Sequence, residues 1–117
     1  MSKKRNNLLL LNDIPDAVKT IEEYLQGYDD EAFYRDKKTK DAVVRNFEII
    51  GEAARQIQQD FKQQYPQIEW RELSDLRNKI IHEYFGVDYV ILWEIIQFDL
   101  PSLRNRISAI VGNTSVN

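Results

Sequence analysis

The segment Asp41-Ala42-Val43-Val44-Arg45-Asn46-Phe47-Glu48-Ile49-Ile50-Gly51-Glu52-Ala53-Ala54-Arg55-Gln56-Ile57 carries an apolar seam in steps of four and three. Val43, Phe47, Ile50, Ala54 and Ile57 form it, and Phe61 continues it. That spacing keeps one stripe on one face of an α-helix, whereas a strand, with its period of two, would scatter it over both faces. The pattern predicts one long helix reaching about Gln64, stopped by Pro66. Gly51, Ala53 and Ala54 leave room at its middle for a neighbouring helix to come close. We read it as the central helix of a bundle.

Towards the N-terminus, Leu10, Ile14, Ala17, Val18, Ile21, Tyr24, Leu25 and Tyr28 repeat at helical spacing. Pro15 belongs to the first turn if Asn12 or Asp13 is the N-cap, and falls inside the helix if it begins near Asn7. A short extra helix is expected around 30–36. Towards the C-terminus a helical pattern runs from Trp70 to Tyr84, with a local restart at Ser74-Asp75 and Gly86 as its stop. Asp88 then caps a last helix through Ile91, Ile95, Ile96, Leu100, Leu103, Ile107 and Ile110, bent near Pro101. No segment alternates with period two for long enough to be a strand. The expectation is an all-α, up-and-down bundle of four main helices in one domain spanning 1–117, with flexible ends at 1–6 and 113–117.

Composition excludes several classes of protein. With no cysteine, the chain can form neither a disulfide framework nor a thiolate metal site, and the cytoplasm is the expected compartment. The longest apolar runs, such as Leu8 to Leu11, are far too short for a membrane span or a signal sequence. A net charge of −3 argues against coating nucleic acid through a broad basic face, so any RNA contact must be local. The clusters Lys3-Lys4-Arg5 and Arg35 to Lys40 each read on their own as a solvated terminus and a solvated loop.

His82 is the only histidine, and only histidine both takes and gives a proton near neutral pH at its ordinary pKa. A lone histidine on an amphipathic helix also serves as a structural or surface residue. On a continuous helical wheel Arg77 lies within roughly 60° of Trp70, Leu73, Ile80, Ile81 and Tyr84, inside the apolar stripe. A guanidinium there needs a partner. Two roles stay open for it: an ion pair with Glu48 or Glu52 of the central helix, or phosphate binding. His82 falls about 140° away on the same wheel, beside Asn78. A shared site therefore needs a swing of the arginine, a distortion near the helix end at Gly86, or a cleft against another surface.

Arg77-Asn78-Lys79-Ile80-Ile81-His82-Glu83-Tyr84 resembles the Arg-x4-His-x-Tyr motif of HEPN-domain ribonucleases of the HepT toxin family. The similarity continues through Trp70 before the motif and Gly86-Val87-Asp88, Trp93 and Asp99-Leu100-Pro101 after it. Arg45 to Ala54 resembles the family's second helix, so nearly the whole chain is covered. The resemblance implies a HEPN bundle acting as a metal-independent endoribonuclease, without cofactor, whose motif lines a two-fold dimer cleft. Arg77 and His82 would be catalytic and Asn78 supporting. The substrate would be RNA rather than DNA. The context would be a type VII toxin–antitoxin system, in which an MntA-like nucleotidyltransferase antitoxin adenylylates Tyr84 to O-AMP-tyrosine. A second reading under the same resemblance is a non-catalytic HEPN module that binds a nucleotidyltransferase as scaffold or substrate. The histidine count adds an inference of its own: acid and base are usually two histidines, and a symmetric homodimer would bring the second. Lys79 and Glu83 read as a solvated pair, and Arg45, Asn46 and Glu52 as salt bridging or packing on the central helix.

Overall fold

Asn6 starts the first helix: its side-chain oxygen accepts the Leu9 N–H at 2.9 Å, the hydrogen bond of an N-cap. A computed structural model describes residues 6–82 and 86–115, with His82 and residues 113–115 described by their backbone. Of the two starts the sequence allows, α1 takes the longer, Asn7–Tyr24, and Pro15 lies inside it. Pro15 cannot donate to the Leu11 carbonyl one turn back. Leu11, Ile14, Ala17, Val18 and Ile21 are nevertheless buried along one face.

The expected short helix is α2, Asp30–Arg35, capped by Asp29. Its Phe33 is fully buried and packs its ring 5.4 Å from that of Trp93. Asp36 ends α2 and caps α3, accepting from the Thr39 N–H and from the hydroxyls of Thr39 and Tyr28. These hydrogen bonds, Tyr28's first, hold the Asp36 carboxyl below its ordinary pKa.

Helix α3, Lys37–Gln56, buries Val43, Phe47, Ile50, Gly51, Ala53 and Ala54, as the seam predicts. Its length differs from expectation. Ile57 is extended, with ψ 136°, yet buried, and the Gln58 N–H leaves the helical ladder for the Asn7 side-chain oxygen at 3.1 Å. A separate turn, α4, Gln59–Gln64, follows, and from it Phe61 packs half-buried against the core and on Tyr65.

The restart at Ser74-Asp75 appears as a break between α5, Trp70–Ser74, and α6, Leu76–Ile80. The sequence pattern carries this helix to Tyr84, but it ends at Ile80. Ile81 turns extended at φ −106°, ψ 119°, and Ile81–His82 (β1) pairs antiparallel with Gly86–Val87 (β2). The Asp88 N–H closes the hairpin on the Ile80 carbonyl at 2.6 Å. Gly86 sits at φ +77°, where a side chain is strained. Glu83 and Tyr84 lie outside the described residues. So brief a pairing leaves the architecture all-α.

Asp88 caps α7, Tyr89–Glu94, by accepting the Ile91 N–H at 3.0 Å. The interruption expected near Pro101 takes the form of one π-helical turn, Ile95–Asp99, before α8, Leu100–Ser115. There the Leu100 N–H reaches back five residues to the Ile95 carbonyl, next to a proline that has no N–H to offer. Helix α3 packs between α1 and α5, and α8 lies along α1, where Arg104 pairs with Glu22. One buried cluster extends from Leu10 to Ile110. Among the described residues no helix is long and apolar enough to cross a membrane.

Helices α3 and α5 meet closely at Gly51, where an added Cβ would stand 3.4 Å from the Leu73 carbonyl oxygen and 3.7 Å from that of Ser74. Alanine there makes ordinary van der Waals contact and gains helix propensity, whereas a longer side chain must push α5 away. We expect Gly51→Ala to keep or raise the melting temperature and Gly51→Leu to cost about 1–3 kcal/mol, read by thermal unfolding in far-UV circular dichroism. Equal losses for the two variants would contradict the close contact.

Candidate active site

Leu76 and Ile80 anchor α6 in the core, which turns Arg77, Asn78 and Lys79 outward to solvent. A wheel carried to Tyr84 places Arg77 inside the apolar stripe, but the helix ends at Ile80, and the residues it buries, Trp70, Leu73, Leu76 and Ile80, leave Arg77 at the edge of the stripe. The Arg77 side chain is 60% exposed. Its Nε lies 3.5 Å from Glu48 Oε2, so the partner is one of the two carboxylates expected for it.

Glu48 stands between two guanidinium groups, with Arg45 at 4.0 Å on its other oxygen. Glu52, the alternative partner, is engaged elsewhere: it accepts from Arg55 at 2.6 and 2.7 Å and from Gln56 at 2.7 Å. The Arg55 bond, then that of Gln56, holds the Glu52 carboxyl below its ordinary pKa, and the same pairing raises that of Arg55. Asn46 donates back to the Ala42 carbonyl within α3. Arg45, Asn46 and Glu52 thus make the local helix contacts that their sequence reading favours.

Arg45, Glu48, Glu52 and Arg55 of α3 face Ser74, Arg77 and Asn78 across an open groove of about 480 Å³, with Gly51 at the point of closest approach. This is where the structure brings Arg77 and Asn78 together. A larger depression of about 590 Å³ lies between α5–α6 and the π turn, but neither Arg77 nor Asn78 lines it. Sequence reasoning missed Arg55, although positions 45, 48, 52 and 55 share one helical face at steps of three and four. Among the described residues no group of three or more His, Cys, Asp or Glu side chains is placed to hold a metal ion.

His82 is off the helix altogether, on β1 opposite Gly86, so the 140° wheel separation no longer describes its relation to Arg77. The distortion near the helix end that a shared site needs is therefore present, as the turn from α6 into the hairpin. Tyr84, the residue singled out for modification, lies outside the described residues.

The family profile described as "Ribonuclease HepT-like" matches residues 14–110. A Thermococcus cleftensis protein named "Probable ribonuclease HepT" is 47% identical over 103 residues, covering 88% of this chain and 94% of that one. A Methanocaldococcus jannaschii protein provisionally named as an RNase is 37% identical over 107 residues, covering 92% and 98%. A Caldanaerobacter subterraneus protein, also provisionally named as an RNase, is 38% identical over 101 residues, covering 86% and 90%. No solved structure matches the chain. With the profile spanning most of its helices, the chain belongs to the HepT-like ribonuclease family.

Proposed function

We propose that this chain is a metal-independent endoribonuclease toxin of a type VII toxin–antitoxin system, with Arg77 and His82 as its catalytic pair. The observation that carries the reading is the state of Arg77: a motif arginine, exposed in an open groove beside Asn78 and only loosely engaged by Glu48 at 3.5 Å. A guanidinium so placed can exchange a carboxylate for a phosphate, since both accept the same two-pronged donation. The ribonuclease names of the relatives support the substrate class.

Cleavage of RNA without a metal needs a base for the 2′-hydroxyl, positive charge on the pentacoordinate phosphorus and an acid for the departing 5′-oxygen. The 2′-oxygen attacks the adjacent phosphorus and the bond to the 5′-oxygen breaks, leaving a cyclic phosphate and a 5′-hydroxyl. His82 serves as base or acid, Arg77 holds the equatorial phosphate oxygens and Asn78 orients the phosphate or the imidazole. The acting form is a cytoplasmic homodimer in which the partner's histidine supplies the complementary proton transfer. An MntA-like nucleotidyltransferase silences it by adding AMP to Tyr84, which places phosphate charge and bulk near Arg77 in sequence, in competition with RNA.

Purified protein with single-stranded RNA and EDTA tests the chemistry. Arg77→Ala and His82→Ala should each lower cleavage by about 10²-fold or more, with parallel loss of growth arrest on expression. Equal behaviour of wild type and both variants would remove the enzymatic reading and leave the non-catalytic module.

Subunit mixing tests the shared site. Heterodimers of wild-type and His82→Ala chains should be far less active per wild-type subunit than wild-type homodimers, and full activity per wild-type subunit would sink the composite site. Intact mass after co-expression with the nucleotidyltransferase should show a gain of one or more AMP units that Tyr84→Phe abolishes. An unmodified chain that has lost its toxicity would reject this route.

A further inference from the structure

We propose that Arg45 and Arg55 form with Arg77 a phosphate track along α3 that binds the backbone of single-stranded RNA on either side of the scissile bond. The inference rests on the ribonuclease reading and assigns to that site a substrate-binding groove beyond its catalytic pair.

The track follows from the helix. Arg45, Glu48, Glu52 and Arg55 lie within about 80° of one another on the wheel, so α3 presents them as one ridge about 15 Å long. Arg77 enters the same groove from α6, opposite Glu48 and between the two ends of that ridge. The span suits a few nucleotides, the scale on which single strands are held by positive grooves.

Exposure separates the two signs of charge. The side chains of Arg45, Arg55 and Arg77 are 71%, 68% and 60% exposed, against 35% and 49% for Glu48 and Glu52. The arginine side chains are thus more exposed than those of the glutamates, so an approaching polyanion meets more guanidinium than carboxylate surface. Three arginines against two glutamates leave the groove at +1 in a chain whose net charge is −3. This is the local basic contact that an acidic RNA-binding chain requires.

The salt dependence of RNA binding reads the track directly, because each phosphate contact contributes about 0.7 to the slope of log K against log salt on a single strand. The full chain carrying His82→Ala, which suppresses cleavage, is titrated with a fluorescent single-stranded RNA over a salt series. Arg45→Ala and Arg55→Ala in that background should each weaken binding several-fold and flatten the slope by about 0.7, while Arg55→Lys retains the slope. Glu52→Gln should bind more tightly than its parent. Lys19→Ala, an exposed cation of α1 outside the groove, should leave the slope unchanged. If the parent binds RNA and the two arginine variants keep its slope, the track is overturned and the ribonuclease reading stands. If the parent binds no RNA at any salt concentration, the ribonuclease reading fails first. A slope that falls equally with Lys19→Ala would assign the effect to overall charge and overturn the track.

Discussion

The groove depends on the meeting of α3 and α5 at Gly51, where backbone faces backbone with no side chain between them. Everything in the groove descends from that contact. It sets how near α5 lies to α3, and the break at Asp75 then sets the direction of α6. Leu76 and Ile80 fix the rotation of α6 by entering the core, and Arg77 is left facing Glu48 across the gap. The spacing between Arg77 and the arginines of α3 is therefore a property of backbone packing. It does not depend on the weak ion pairs that decorate it.

A second tie holds the other half of the motif. The Ile80 carbonyl, left over at the end of α6, accepts the Asp88 N–H, and Asp88 in turn caps α7 with its side chain. One residue thus closes one helix and opens the next, with the Ile81–His82 and Gly86–Val87 pairing between. Arg77 and His82 are five residues apart yet stand on different kinds of backbone. Core residues on either side orient the arginine, whereas the backbone of His82 pairs with Gly86, so the two are not bound to the fixed angle of one helix.

Features decided by neighbouring residues were legible in the sequence. The seam of α3, the short helix at Asp30–Arg35, the Asp88 cap and the interruption before Pro101 all follow from local periodicity or from what a side chain offers the backbone within a turn. Two helix ends were not legible, because partners distant in sequence take the hydrogen bonds. Asn7 takes the Gln58 N–H from 51 residues away, and Asp88 takes the Ile80 carbonyl from across the hairpin. The wheel misplaced Arg77 because it carried the helix on to Tyr84, whereas the helix ends at Ile80. Arg55 went unread, because a solvated helix face shared with Arg45 looks like any other until α6 is laid beside it.

In the proposed track three arginines share two glutamates, Glu48 between Arg45 and Arg77 and Glu52 with Arg55, and this bears on how such a groove would handle a polyanion. In the proposed track a phosphate would exchange for a carboxylate at a guanidinium that already donates to one, so one set of charge-assisted hydrogen bonds would replace another. The net gain per contact is small, and the released carboxylate remains close enough to repel the newcomer. A groove of this kind would orient a strand without holding it tightly. Discrimination then has to arise elsewhere, because phosphate contacts set position and carry no base identity. Among the described residues the uncharged polar side chains that line the groove are Ser74 and Asn78.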